Sequence, residues 1–247
     1  MPHTIEHSPE GTPTNTPDVD DSAALERLLQ RRFSCRGFLP QPVAPDIIER
    51  VLALAQRTAS WCNAQPWQLV VTRGEATERF RTALFDEMQH ANGEASDEPP
   101  DFAWPTAYRD AYQARRRECG FGLYDAVGIQ RGDRAASARQ AMENFRLFGA
   151  PHVAIVTTPA DLGVYGAVDC GAYVQNFMLA ATSLGLGCIA QAALATRPEF
   201  IRRHFGLPAE RRIVCGISFG YADPAHPANK FRTTRADWRT EVTVLDR

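Results

Sequence analysis

The sequence predicts an α+β protein, and three observations predict it. Helical and extended patterns alternate along the chain. Four segments read as good strands: QLVVT (68–72), HVAIVTT (152–158), GCIAQA (187–192) and RIVCGISFGYA (212–222). No self-similarity recurs at a fixed period, which excludes a solenoid or propeller.

The elements follow in order. Asp21 or Ser22 can cap a first helix running through Gln30, with Leu25, Leu28 and Leu29 on one face. A loop, RRFSCRGF (31–38), comes next. Pro45 suits the first position of a second helix, where Ile47, Ile48, Val51, Leu52, Leu54 and Ala55 repeat at helical spacing. The segment from Ser60 to Trp67 breaks that helix and leads into the first strand. A helix runs from Glu75 to about Gln89. Residues 91–133 are rich in Pro, Gly and charge and read as an insertion or lid with one short helix around Tyr108–Glu118. A helix from Asp133 to Phe148 precedes the second strand. An apolar helix spans 166–184, a further helix 197–205, and a polar arm ends the chain. The domain reading is a disordered tail over 1–20 and a single domain over 21–247.

Composition narrows the function. The 247 residues are 44% hydrophobic and 23% charged, with 27 Lys+Arg against 29 Asp+Glu and a net charge of -2. Those values fit a globular chain and give no basis for a nucleic-acid or anionic-membrane partner. The six cysteines, at 35, 62, 119, 170, 188 and 215, show no C-x-x-C spacing, and the six histidines form no H-E-x-x-H. Neither a metal site nor a disulfide framework is predicted, and the thiols read as small buried apolar groups in a reducing, cytoplasmic setting. The N-terminal residues carry no apolar core of a signal peptide. The most apolar stretch, Cys170 to Ala193, is interrupted by Gln175 and Asn176, so a buried helix is the better reading than a membrane span.

Two generic motifs are set aside. Gly216-Ile-Ser218-Phe-Gly220 matches a nucleophile elbow, but no helix can start promptly after it, and close packing of a strand explains the small residues. A serine hydrolase at Ser218 stays as a minor reading. Gly185-Leu-Gly187-Cys-Ile-Ala190 matches a dinucleotide fingerprint but follows a helix, so it reads as a helix stop.

Three segments carry chemistry. Arg31, Arg32 and Arg36 with Ser34 put guanidinium forks and a hydroxyl within six residues, a pattern suited to phosphate. The alternative is a solvated face. Ser60-Trp61-Cys62-Asn63-Ala64-Gln65-Pro66-Trp67 places donors, acceptors and rings between apolar elements, suited to a heterocycle with alternating C=O and N–H groups. Its alternative is a structural turn. Asn229-Lys230-Phe231-Arg232-Thr233-Thr234-Arg235 adds three cations and two hydroxyls. Two such clusters in a near-neutral chain point to one shared small anion.

In this order the segments resemble the FMN-dependent nitroreductase family, over about residues 22–245. Arg32-Phe33-Ser34-Cys35-Arg36-Gly37-Phe38 is similar to the family's R-R-S-x-R-x-F, with Phe33 in place of an Arg. Ala59 through Trp67 is similar to P-S-x-x-N-x-Q-P-W, with Ala59 in place of Pro. The strings from Asn144 to Pro151, GLGCIAQAAL, GISFGYAD and FRTTRADW are also similar to it.

The resemblance implies a three-layer α/β/α fold whose mixed, mostly antiparallel sheet is flanked by helices. It also implies a homodimer of the domain-swapped type, with FMN at its interface and the apolar helix packed across it. Arg32, Phe33 and Ser34 would hold FMN from one subunit, Arg232 and Arg235 (with Lys230 less so) its phosphate, and Asn144 its pyrimidine ring. Ser60, Trp61 and Asn63 would reach it from the partner. Ala190 and Gln191 would lie beside the flavin, or else serve ordinary packing. Trp104, Tyr108 and Tyr112 would wall a small aromatic substrate's site. Arg115–Arg117 read as solvated, with pairing to an acid group as the alternative.

The implied reaction is ping-pong, two-electron reduction of a nitroaromatic or similar electron-poor substrate by NADH or NADPH. The flavin N5 would do the chemistry and no side chain would act as general base. Dehalogenation, enone reduction or natural-product oxidation on the same fold stay open, as does a flavin-binding or flavin-cleaving module without NAD(P)H turnover.

Overall fold

The computed structural model describes residues 19–90 and 99–246. Its helices are α1 (Val19–Arg31), α2 (Pro45–Ala55), α3 (Glu75–His90), α4 (Asp110–Ala126), α5 (Arg134–Met142), α6 (Gly163–Ser183) and α7 (Pro198–Phe205). Its strands are β1 (Gln68–Val71), β2 (His152–Pro159), β3 (Gly187–Gln191) and β4 (Arg211–Gly220). All but the last two residues of the expected tail lie outside the described residues, as do 91–98 of the expected insertion.

The strands form one sheet in the order β1-β2-β4-β3, antiparallel throughout. Two single bridges extend it: Ser34 pairs with Cys188 in parallel, and Phe38 with Ala222 antiparallel. The RRFSCRGF loop is thereby fastened to the edge strand β3.

Strand residues alternate between faces, so one buried strand feeds two cores. Ala154 and Val156 of β2 pack under α2 and α6 with Ile48, Val51, Tyr173 and Phe177. Val153 and Ile155 face the opposite core with Phe80, Leu84, Leu194 and Ile201. This is the expected layering of helices on both faces. In β4, Ile213 belongs to the second core but Cys215, Ile217 and Phe219 to the first. Period-two alternation alone would keep all four on one face. A register shift between Val156 and Thr157 absorbs the extra residue on β4 and turns Ile213 over. The small residues on the other phase of β4 are there for contact: a Cβ on Gly216 would stand 2.2 Å from Leu194.

α6 buries Gly166, Cys170, Tyr173, Val174, Phe177 and Ala181, at spacings of three and four. No described helix is long and apolar enough to cross a membrane. Gly185, with φ +79°, ends the segment as the expected helix stop. Burial pushes the Cys35 thiol up to about 11 and those of Cys170, Cys188 and Cys215 up to about 12, so these four serve packing.

Three elements differ from expectation. α1 begins at Val19, so Asp21 and Ser22 lie inside it rather than capping it. α4 runs to Ala126, well past Glu118, and its Gly122 is needed: a Cβ there would stand 2.4 Å from the Phe231 ring. α5 stops at Met142 rather than Phe148. Leu147 and Phe148 take positive φ (57° and 52°), which buries both against the second core and turns the chain into β2. Asp133 caps α5 by accepting from the Ala136 N–H at 2.8 Å.

Two buried groups tie distant segments. Asn229 accepts from the Arg36 N–H (2.7 Å) and donates to the carbonyls of Gly37 (2.7 Å) and Asp223 (2.9 Å), joining the N-terminal Arg loop to the start of the C-terminal arm. His152, 1% exposed, accepts from the Val43 N–H at Nε2 (2.9 Å) and faces the Thr72 carbonyl with Nδ1 (3.2 Å). Its Nδ1 therefore carries the hydrogen.

Asn229→Ala orphans three main-chain groups and is expected to cost at least about 2 kcal/mol in urea unfolding. A loss under about 0.5 kcal/mol would mean that other contacts hold the two segments together. Burial holds His152 below its ordinary 6.5 against the raising bond to Thr72. Below about pH 6.5 the unfolded chain therefore binds a proton that the folded chain excludes, and stability falls on acidification until the lower folded value is passed. The urea midpoint should drop from about pH 7 to about pH 5, and drop less in His152→Gln. An equal drop in that variant would assign the effect elsewhere.

Candidate active site

The end of α1 and the C-terminal arm enclose a cleft of about 700 Å³ whose lining includes Arg32, Phe33, Ser34, Arg36, Arg232 and Arg235. Glu26 adds the one carboxylate, so the lining carries a clear positive excess. The Arg232 guanidinium stacks 3.8 Å from the Phe33 ring centroid and donates to the carbonyls of Asn229 (2.6 Å) and Phe231 (2.9 Å). Arg235 donates to Thr233 Oγ1 (2.8 Å) and the Thr234 carbonyl (2.7 Å). Arg32 is half-buried, and its guanidinium has no hydrogen-bond or ion-pair partner among the described residues. A partly desolvated, unpaired guanidinium among further cations fits an anion such as phosphate. Lys230 is exposed and does not line this cleft.

The structure thus brings together the two Arg clusters, more than 190 residues apart in the chain. Arg36 of the first cluster lines the same cleft, and burial lowers its pKa. The structure also adds Cys119 and Gln175, which the sequence did not single out. Cys119 and Gln175 come from α4 and α6, whose facing toward the cleft no local spacing announces.

β3 leads from this cleft to Asn144. Cys188, near its start, pairs with Ser34, and Gln191 at its end donates to the Asn144 carbonyl at 2.9 Å and to its Oδ1 at 3.3 Å. Between them Ala190 is exposed, in a strand whose other residues are all buried. A small exposed side chain there gives a flat ligand close access to the sheet edge.

Ser60, Trp61 and Asn63 line no part of this cleft, and Trp61 packs against the first half of α6. The Trp61 N–H donates to the Asp169 carboxylate (3.2 and 3.3 Å), and its ring meets Tyr165 edge-on at 4.4 Å. Ser60 Oγ accepts from the Gln65 N–H at 2.9 Å. Cys62, Asn63 and Gln65 all take positive φ, between 48° and 53°. Three non-glycine residues thus hold left-handed backbone in one exposed turn, a conformation that costs free energy. Trp61 and Tyr165 are each 57% exposed.

Trp104, Tyr108 and Tyr112 are exposed and line neither this cleft nor the adjoining one of about 660 Å³ between α4 and the arm. Arg116 lies over Tyr108 and Arg115 over Tyr112, at 5.1 and 5.9 Å. Arg115 is also ion-paired with Glu241, so it is engaged within the chain rather than simply solvated. Ser218 is fully buried and donates to Gln191 Oε1 at 2.5 Å, so it is not presented as a nucleophile.

Comparison with known proteins places this geometry in context. The model of the nitroreductase family matches residues 29–221. Nitroreductase NfnB of Mycolicibacterium smegmatis is 35% identical over 221 residues, 89% of this chain and 92% of that protein. Nitrobenzene nitroreductase of Ectopseudomonas oleovorans is 32% identical over 224 residues, 91% and 98% of the two chains. The crystal structure of the FMN-dependent nitroreductase NfnB from Mycobacterium smegmatis in complex with NADPH superposes with a TM-score of 0.84 at 34% identity, covering 92% of this chain and all of that one. With its layered antiparallel sheet and this match across most of its length, the chain belongs to the nitroreductase family.

Proposed function

We propose that the chain is an FMN-dependent oxidoreductase that uses NADPH or NADH to reduce nitroaromatic or similarly electron-poor compounds. The observation that carries this reading is the unpaired Arg32 guanidinium in a cleft shared with Ser34, Arg232 and Arg235, continuous along β3 with exposed Ala190 and with Asn144. These residues fit the cofactor named for the NADPH-bound relative: a phosphate for the guanidiniums and a flat heterocycle for the bare strand edge.

In this reading Arg32, Ser34, Arg232 and Arg235 hold the phosphate, and Phe33 keeps the Arg232 fork in place by stacking. Asn144 faces the ring with the buried Gln191 behind it, and Ala190 leaves room for the ring. When bound, FMN supplies hydride acceptance from NAD(P)H and two-electron delivery to the substrate, in ping-pong order. The chain's task is to orient the two reactants in turn and keep water out, and no side-chain acid or base is required.

A second copy of the chain completes the site. The support is that the Ser60–Asn63 turn is exposed, strained and separate from its own cleft. Apolar side chains on α1 (Leu25, Leu29) and on the first half of α6 (Val164, Tyr165, Val168) are exposed as well. The substrate is a small aromatic compound, met by α4.

Arg32→Ala removes a charge-assisted phosphate contact and is expected to raise the FMN Kd about 10- to 150-fold, from about 1.5–3 kcal/mol. An unchanged Kd would remove Arg32 from the site. Mixed dimers of Arg32→Ala and Asn63→Ala subunits should recover one intact site per dimer, read as bound flavin and NADPH oxidation. Mixed dimers no better than either parent would contradict a site shared between copies.

A further inference from the structure

We propose that Ser218, the buried serine of the G-x-S-x-G string, is a positioning residue: through Gln191 it sets Asn144 as a hydrogen-bond donor toward the cofactor. The inference rests on the proposed reading that Asn144 faces the flavin. It follows from the main-chain carbonyls in the network, whose polarity is fixed.

The Asn144 main-chain carbonyl can only accept. Its partner at 2.9 Å must therefore be the Gln191 amide nitrogen, Nε2. That places Gln191 Oε1 at Ser218, 2.5 Å away, and obliges the hydroxyl to donate. The same Nε2 meets Asn144 Oδ1 at 3.3 Å, so the Asn144 carbonyl end is turned inward. Its Nδ2 then lies on the other side. One N–H goes to the Ala141 carbonyl at 3.0 Å, and the second has no partner among the described residues. Asn144 thus presents an N–H outward, which selects an acceptor on the ligand: a ring carbonyl oxygen or an unprotonated ring nitrogen.

Burial makes the network stiff. Ser218 is fully buried and Gln191 is 2% exposed, so water cannot readily substitute for either partner. Without the serine donor, Oε1 would be a buried acceptor with no partner, and a flipped Gln191 would bring its oxygen against the Asn144 carbonyl. Both outcomes loosen Asn144 without touching the cofactor.

The test compares Asn144→Ala, Asn144→Asp, Gln191→Met, Ser218→Ala and Ser218→Thr holoenzymes by FMN Kd, flavin midpoint potential and thermal unfolding. Ser218→Ala and Gln191→Met should each raise the Kd about two- to tenfold and move the potential in the same direction as Asn144→Ala. Ser218→Thr, which keeps the hydroxyl, should stay near the parent. Asn144→Asp, which offers only acceptors, should bind FMN worst. In the double variant Ser218→Ala/Asn144→Ala the effect should not exceed that of Asn144→Ala alone.

If Ser218→Ala lowers the melting temperature but leaves Kd and potential unchanged, the serine is only structural and the proposal fails. Additive effects in the double variant would overturn it too. If Asn144→Ala itself moves neither quantity, the reading that Asn144 faces the flavin fails, and this inference fails with it. Should Ser218→Ala not fold, Gln191→Met carries the same comparison.

Discussion

The cleft depends on one buried carboxamide. Asn229 holds the Arg36 N–H and the carbonyls of Gly37 and Asp223 with its side chain, and its own carbonyl receives the Arg232 guanidinium. Two Arg-rich segments from opposite ends of the chain would otherwise repel each other across open water. An Asn suits this place because it both donates and accepts, and because it is neutral where cations already crowd. Gly37 lets the join close: a Cβ there would stand 2.3 Å from the His226 ring.

The sheet gives the rest of the site its axis. β3 is the edge strand, so one of its sides is available to the RRFSCRGF loop through the Ser34–Cys188 bridge. Its end carries Gln191 to Asn144. The irregularity in β4 decides which residues face which core, and Ser218 stays on the phase that meets Gln191 rather than α6. A single strand therefore connects the anion-holding end of the cleft, the bare position at Ala190 and the polar relay. The α4 helix is tied to the same arm, with Thr234 donating to Glu118 at 2.8 Å and Phe231 packed on Gly122. Changes at the arm are thus felt on both walls.

Much of this was legible in the chain. The strands, the helix starting at Pro45, the helix stop at Gly185 and the close-packed glycine strand follow from local pattern, and local pattern is what a sequence displays directly. The pairing of the two Arg clusters was legible as chemistry, since several guanidiniums in a near-neutral protein need a common anion. Other features were not. The relay joins positions 144, 191 and 218, and the Asn229 tie spans 193 residues, distances at which no periodicity speaks. The early end of α5 is a tertiary override, because Leu147 and Phe148 accept left-handed backbone in exchange for burial. The resemblance implied Trp104, Tyr108 and Tyr112 as walls of a substrate site. Within one chain they lie on an exposed face, with Tyr108 and Tyr112 against their own arginines.

On the proposed function, this cleft holds a flavin reducible by a nicotinamide donor. The most direct measurement is the visible absorption spectrum of the purified, dialysed protein, repeated after anaerobic addition of NADPH and then NADH. Flavin bands that bleach with either donor, and return on adding a nitroaromatic acceptor, are the predicted result. A colourless protein that added FMN does not colour, or a yellow protein that neither donor bleaches, would rule out a reducible flavin in this cleft.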